Sequence, residues 1–359
     1  MNKIMFSILK VLNMHQGPMH SIRITRELEM QGFKLSERTV RYYLKQLDKL
    51  GYTERTTKRG RQVTRKGKDE LASSFTTERV GFIIDTMNNL SFMATLNPDT
   101  LRGTVILNIT FIEEEAIYDA IKLLKVTLNS PYAISNRVII QQGGGYIGHI
   151  RVPDGVYCIG TVCSVTLNAI FLKAGIPVRS KFGGIVEVID RTPARFLSLI
   201  SYQHSSVPPL ELFMKSRMTD VLGALKTGTG KILGSFREIP GVSINDAKRL
   251  SEKMVARGFG GIILFGQPGK SVLDIPVTSD TVGIVVLGGL NPVAAFEEAQ
   301  IPTKTHAMAT LVDYLELNPI EMYDMRPAST FQNPHSTLSD MAHMYHTAAT
   351  AHDCPFSLD

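Results

Sequence analysis

Cysteine is scarce in this chain of 359 residues. Cys158, Cys163 and Cys354 make an odd number without CxxC spacing. This scarcity excludes a disulfide framework and a structural zinc site of the cysteine type, and it favours a reducing, cytoplasmic location. His343 and His346 lie three positions apart near the C-terminus, but they lack the other ligands of a set with defined spacing. No metal site and no cofactor are therefore predicted.

A segment typical of a membrane span or a signal peptide is also missing. Residues 1–17 carry Lys10 within an apolar pattern of helical spacing, which indicates a packed helix. Residues 155–172 are uncharged, but the polar side chains among them and their change from a strand pattern to a helix pattern favour a buried core. We therefore expect no membrane partner.

No spaced set of catalytic residues can be recognised. Residues 143–148 satisfy the G-x-G-x-x-G pattern but lead into His149 and Ile150 without a helical pattern, which favours a glycine-rich hairpin. Residues 266–271 imitate the end of a P-loop whose first glycine is absent. The chain is therefore predicted not to be an enzyme. The alternative is an enzyme acting on a small carboxylate or nucleotide, with the N-terminal module in a regulatory role.

Positive charge is concentrated at the N-terminus. Residues 1–70 hold 16 Lys and Arg against 7 Asp and Glu, a net charge of +9, while the remainder holds 23 against 26, a net charge of −3. A basic module is thus joined to a slightly acidic body. This division predicts a polyanionic partner for the first 70 residues only.

The order of patterns in residues 1–70 is that of a winged helix-turn-helix. Helical patterns over 2–15, 21–30 and 36–50 precede a basic hairpin with strands at 52–56 and 62–64. The third helix has an apolar face and a basic face, which suits the major groove of double-stranded DNA, and the hairpin suits the adjacent phosphates. A winged helix that binds protein is the alternative. The predicted DNA-binding residues are Arg38, Thr39, Arg41, Tyr42, Lys45, Lys58, Arg59 and Arg61.

An internal repeat organises the rest of the chain. The stretch GTVCSVTLNAIFLKAGIPV at 160–178 recurs 125 positions downstream as VVLGGLNPVAAFEEAQIPT, and the same offset places Gly103 and Phe111 on Gly228 and Phe236. Each half shows the order β-α-β-β-α-β. The fold class is therefore α/β (α+β), with a winged helix followed by an internally duplicated domain.

The boundaries of this organisation follow from composition. The body is predicted over 78–320, with half-repeats at about 79–200 and 226–320. Residues 66–77 are polar and are interpreted as a joint. Residues 321–359, rich in Ser, Thr, His and Met, are interpreted as a flexible tail.

The repeated junction between strand and helix is the candidate ligand site, because amides at a helix N-terminus are available to an anion. The first copy offers a thiol and hydroxyls, and the second offers glycines, an N-cap Asn and an N1 Pro. The alternative, favoured for either junction alone, is that these residues only cap helices. The predicted effector-binding residues are Cys163, Ser164, Thr166, Gly288, Gly289, Asn291 and, as a nearby cation, Arg237.

Five motifs behind the winged helix, GTVCSVTLNAIFLKAGIPV, FGGIVEV, PLELFMKSRMTDV, ILGSFREIP and VLGGLNPVAAFEEAQIP, resemble the NrpR family of archaeal global nitrogen regulators over about residues 1–320. The resemblance implies a dimeric transcriptional repressor that binds inverted-repeat operators of nitrogen-assimilation genes. It also implies release of the operator when the effector 2-oxoglutarate binds the regulatory domain. Several members carry that domain twice, but this chain carries one copy. The implied partners therefore include a second regulatory-domain protein or basal transcription factors.

Overall fold

The computed structural model describes residues 3–14, 17–30, 33, 35–56, 60–73 and 82–323. The chain divides into two compact units, residues 1–81 and 82–359. Lys58 and Arg59 of the predicted wing tip lie outside the described residues, and so does the predicted tail from residue 324 onward.

The first unit is a winged helix. Its elements are helices α1 (Lys3–Met14), α2 (Ser21–Met30) and α3 (Glu37–Lys49), strands β1 (Thr53–Thr56) and β2 (Gly60–Val63), and helix α4 (Arg65–Ser73). The Ser36 hydroxyl caps α3 by accepting from the Thr39 amide, and the helix ends before Gly51, whose φ of 74° suits glycine. The predicted inner face of α3, Val40, Leu44 and Leu47, is fully buried against α1 and α2.

Two predictions in this unit are wrong. Arg61 is the second residue of β2 and not part of the hairpin tip, because Thr56 pairs with Gly60 and the ladder starts two residues earlier than expected. The polar joint predicted over 66–77 is helical as far as Ser73. The reason is that the Thr64 hydroxyl accepts from the Gly67 amide at 3.0 Å and starts a helix that the composition does not suggest.

The second unit is a mixed α/β domain in two halves. The first half contains α5 (Ile83–Met93), β3 (Thr104–Glu113), α6 (Ile117–Leu128), β4 (Arg137–Gln142), β5 (Tyr146–Ile147), β6 (Ile150–Arg151), β7 (Val156–Val162), α7 (Val165–Lys173), β8 (Arg179–Ile189) and β9 (Thr192–Ser201). The second half contains α8 (Pro209–Lys215), α9 (Val221–Thr227), β10 (Gly230–Pro240), α10 (Ile244–Val255), β11 (Ile262–Phe265), β12 (Thr281–Leu287), α11 (Asn291–Glu298), β13 (Thr303–Asp313) and β14 (Asn318–Pro319). The predicted glycine-rich hairpin is present as β5 and β6.

The two halves exchange strands. One five-stranded sheet has the order β11-β12-β10-β8-β9, and the other has the order β13-β3-β7-β4-β14. Strand β8 of the first half pairs antiparallel with β10, and β13 of the second half pairs antiparallel with β3. Each half thus completes the sheet of the other. The halves share one continuous hydrophobic core.

The offset of 125 holds for the junctions and for the strands β7 and β12 that lead into them, but not for β3 and β10. Gly160 of β7 pairs with Ile109, and Val285 of β12 pairs with Phe236. Since 285 minus 160 is 125 while 236 minus 109 is 127, the equivalent of Phe236 is Ile109. The ungapped match of Phe236 with Phe111 is therefore wrong. Helices α5 and α8 are also related: α5 packs on α7, and α8 packs on α11.

Candidate functional site

The basic face of α3 is exposed. The Arg38, Arg41 and Lys45 side chains point to solvent, and Tyr42 is 57% exposed. Thr39 is half-buried and its hydroxyl lies 2.9 Å from that of Ser36, so it belongs to the helix cap. The structure therefore presents three cations and one phenol on the outer surface of the third helix, which is the arrangement that phosphates and base edges require.

Two charged side chains of the predicted DNA-binding set are engaged within the unit. Arg41 Nη2 donates to Glu37 Oε1 at 2.6 Å, and its Nε donates to Ser21 Oγ at 3.2 Å. Arg61 Nε donates to Asp48 Oδ2 at 2.8 Å, and the Arg61 side chain is only 15% exposed. Arg61 therefore anchors the wing to the end of α3, and contact of Arg61 with DNA stays a prediction.

At the first junction Arg237 is the central side chain. It lies on β10, is 1% exposed, and donates from Nη1 to Ser164 O at 3.0 Å and to Asn168 Oδ1 at 2.5 Å. Its Nη2 donates to Ser164 Oγ at 2.9 Å, and its Nε donates to Ser235 Oγ at 3.2 Å. All four acceptors are neutral, and no carboxylate pairs with this guanidinium in the described part of the chain. Burying a cation without a neighbouring anion costs desolvation free energy, and a bound anion would offset part of that cost.

Thr166 and Asn291 play matching structural parts at the two junctions. The Leu233 amide donates to Asn291 Oδ1 at 2.7 Å, and Asn291 Nδ2 donates to Leu233 O at 3.1 Å. In the first half the Ile106 amide donates to Thr166 Oγ1 at 3.1 Å. Leu290, and not Asn291, is the N-cap of α11, so the predicted cap assignment is wrong. Thr166 thus bonds the backbone of β3, and Asn291 bonds the backbone of β10.

The two junctions pack against each other. A Cβ on Gly289 would stand 2.7 Å from Val162 O and 2.8 Å from Ser164 N, so only glycine fits there. A Cβ on Gly288 would stand 2.5 Å from Leu233 Cβ and 3.0 Å from Leu233 O. Asn108 spans the contact, since its Nδ2 donates to Gly289 O at 3.2 Å. The sequence placed both junctions at helix starts but could not show that they meet.

A cavity of about 30 Å³ lies where the junctions meet. Its walls are the two junctions, the related helices α5 and α8, the Tyr202 ring and the bulge of β13; the lining residues include Ile83, Met87, Cys163, Ser164, Tyr202, Pro209, Gly289 and Met308. Arg237 lies behind Ser164, one hydrogen bond away from the cavity. The space suits about one water molecule, so a larger ligand requires α5 or α8 to move outward.

The ionisable groups beside this cavity are neutral at physiological pH apart from Arg237. Burial raises the pKa of Cys163 to about 11, against the opposing effects of the Val165 amide and Arg237. Burial also raises the pKa of Tyr202 to about 12. The Cys163 thiol is therefore protonated, which makes it a poor nucleophile. Burial lowers the pKa of Arg237.

The residues that the structure describes contain neither a cluster of metal ligands nor a membrane-spanning helix. No group of three or more His, Cys, Asp or Glu side chains within the described ranges is arranged to hold a metal ion. The histidines of the predicted tail fall outside these ranges. Among the helices that the structure describes, none combines the length and apolar character needed to cross a membrane.

Comparison with known proteins fits this architecture. The model of NrpR regulatory domains NRD1 and 2 matches residues 80–319, and the model of the ribonuclease R winged-helix domain matches residues 6–71. The chain belongs to the NrpR family. A relative, the global nitrogen regulator NrpRI of Methanosarcina mazei, is 34% identical over 88% of this chain and 97% of its own length.

Other NrpR proteins are longer than this chain. The global nitrogen regulators NrpR of Methanocaldococcus jannaschii and Methanococcus maripaludis are 28% and 26% identical, and the chain spans 54% and 53% of their respective lengths. A crystal structure of a nitrogen repressor-like protein from Methanococcus jannaschii superposes with a TM-score of 0.59 at 28% identity. It covers 67% of this chain and all of that one. All these relatives are named as regulators or as repressor-like, and none as an enzyme.

Proposed function

We propose that this chain is a DNA-binding transcriptional repressor of nitrogen-assimilation genes. In this proposal it binds an inverted-repeat operator as a homodimer and releases it when 2-oxoglutarate binds the second unit. The observation that carries the proposal is the exposed basic face of α3 in a winged helix joined to an NrpR regulatory domain. The relatives named as global nitrogen regulators support the assignment to nitrogen metabolism.

The effector site that we propose is the cavity between the two junctions. Cys163, Ser164 and Gly289 line it, and Arg237 contributes a positive charge from behind Ser164. A dicarboxylate would supply the anion that this guanidinium lacks, and the two helix N-termini would add amide donors. Thr166, Asn291 and Gly288 then support the walls of the site.

This site couples binding to a change of shape because the cavity is far smaller than 2-oxoglutarate. A ligand of ten non-hydrogen atoms can enter only a conformer in which the cavity is wider, and it stabilises that conformer at the expense of the closed one. We propose that opening displaces α5 or α8 and changes the spacing of the two recognition helices in the dimer. Ser164→Ala is expected to weaken the response to 2-oxoglutarate, measured by calorimetric titration.

The test of the function is an electrophoretic mobility shift on the chain's own promoter, with and without 2-oxoglutarate. We expect a retarded protein–DNA complex in the absence of 2-oxoglutarate and dissociation of that complex in its presence. Arg41→Ala is expected to weaken binding by about 1–3 kcal/mol if Arg41 contacts a base. Lys304, exposed on β13 of the second unit, provides the control variant Lys304→Ala, which should bind as the unchanged protein does. Binding of Arg41→Ala with full affinity and no dependence on salt would contradict the DNA-binding proposal.

A further inference from the structure

Glu37 is an acidic residue on the basic face of α3, and it forms a closed ring of hydrogen bonds with two other side chains. Ser21 Oγ donates to Glu37 Oε1 at 2.7 Å, and Arg41 Nη2 donates to the same oxygen at 2.6 Å. Arg41 Nε donates to Ser21 Oγ at 3.2 Å and closes the ring. Ser21 is the first residue of α2, so the ring joins the starts of two helices.

This ring adds little to the stability of the fold. The Arg41 and Glu37 side chains are 61% and 33% exposed, and an exposed ion pair one helical turn apart contributes little to the stability of a protein. Its larger effect is on the arginine itself. A long, flexible side chain that is already held in one rotamer loses less conformational entropy when it binds a target.

The position of the carboxylate indicates which target the guanidinium has. An acidic group 2.6 Å from Arg41 would repel a DNA phosphate, so the ring is poorly suited to a phosphate contact. The two N–H groups of Nη1 and the second N–H of Nη2 are not used by the ring. Guanine presents two adjacent acceptors, O6 and N7, in the major groove, and a fixed arginine fork satisfies both.

We propose that Glu37 is a positioning residue that, together with Ser21, directs Arg41 toward a guanine in the major groove. This inference rests on the proposed DNA-binding function. It assigns base reading to Arg41 and leaves phosphate contact to Arg38 and Lys45. The carboxylate fixes the guanidinium and does not itself contact the base. The hydrogen bond from the Ser21 hydroxyl, more than the interaction with Arg41, holds the pKa of Glu37 below its usual value. The carboxylate is therefore charged at neutral pH.

The test uses the full chain and a duplex that the chain itself selects from a random library, with a shuffled duplex of the same composition as reference. Glu37→Ala is expected to weaken binding to the selected duplex about tenfold and to leave or strengthen binding to the shuffled one. Glu37→Gln keeps an oxygen acceptor and should give an intermediate loss. Glu29→Ala, which removes an exposed carboxylate from α2, is the charge-matched control and should retain the preference.

A double-mutant cycle separates positioning from a general effect on charge or folding. In the Arg41→Ala background, Glu37→Ala should have no further effect on the selected duplex, and selection with Glu37→Ala should relax one G·C position in each half-site. Equal effects of Glu37→Ala in both backgrounds, or tighter binding to both duplexes, would overturn the positioning role. Full binding by Arg41→Ala would overturn it as well. Failure to select any duplex would instead contradict the proposed function.

Discussion

Arg237 sets the chemistry of the second unit at the scale of single residues. Its guanidinium is buried and bonds only neutral acceptors on Ser164, Asn168 and Ser235. Two free-energy terms oppose each other here. Desolvation of the charge costs several kcal/mol, whereas each acceptor left without a donor would cost about 1–3 kcal/mol. The two terms are of similar size and opposite sign, so the guanidinium adds little net stability, in agreement with the ligand-binding role proposed for it above.

This balance makes a prediction for two substitutions. Arg237→Met keeps most of the volume and removes the charge, so we expect the free energy of unfolding to change by less than about 1 kcal/mol. Arg237→Ala leaves a cavity as well and is expected to destabilise the protein by about 3 kcal/mol. Urea unfolding measures both, and both variants should lose the response to 2-oxoglutarate. A loss of more than about 3 kcal/mol in Arg237→Met would identify the guanidinium as a structural element.

Residue types alone could not reveal this site. An arginine is expected at the surface, so the sequence predicts Arg237 only as a cation near the junctions. Its burial depends on the strand exchange that brings β10 next to α7. Glu37 was overlooked because it interrupts a basic face. Its spacing of four residues from Arg41 was the available signal, since residues four apart on a helix meet.

At the scale of elements, periodicity predicts where most strands and helices lie, but it does not predict which strands pair with each other. The order β-α-β-β-α-β predicted for each half is present in the structure, because buried β-branched runs are distinctive. Helix α5 was missed, since its Asn-Asn-Leu-Ser segment has low helix propensity. Strand β9 was missed because it begins with Thr-Pro and has apolar residues on both faces. Periodicity carries no information on which strand pairs with which, so the exchange of β8 and β13 became visible only in the structure.

Thr166 links α7 to β3, and Asn291 links α11 to β10. We expect substitutions of these two residues to lower the free energy of unfolding by different amounts. Asn291 satisfies both backbone groups of Leu233, whereas the Thr166 hydroxyl donates to Ile106 O at a marginal 3.5 Å. We therefore expect Asn291→Ala to destabilise the protein by about 2–3 kcal/mol and Thr166→Val by about 1 kcal/mol. Chemical denaturation checks this order, and the reverse order would contradict the contributions assigned to these hydrogen bonds.

At the scale of the whole molecule, charge is divided between two units. In the proposed function, the net charge of +9 in residues 1–70 and of −3 in the remainder means that the first unit supplies the attraction to DNA and the second does not. The dependence of binding on salt then counts phosphate contacts, because each neutralised phosphate contributes about −0.9 to the slope of log affinity against log salt. With Arg38 and Lys45 on phosphates in each protomer, these two side chains alone contribute about −4 to the slope for a dimer.

Substitution of one phosphate-binding lysine changes the salt slope by an amount that reports the number of protomers bound to the DNA. Lys45→Ala removes one contact per recognition helix, so the magnitude of the slope should fall by about 2 for a dimer and by about 1 for a monomer. Titrations of a selected duplex between low and moderate salt measure the difference, and Lys304→Ala on the second unit should leave the slope unchanged. A fall of about 1 would show that a single recognition helix engages each site, and would contradict the homodimer on an inverted repeat.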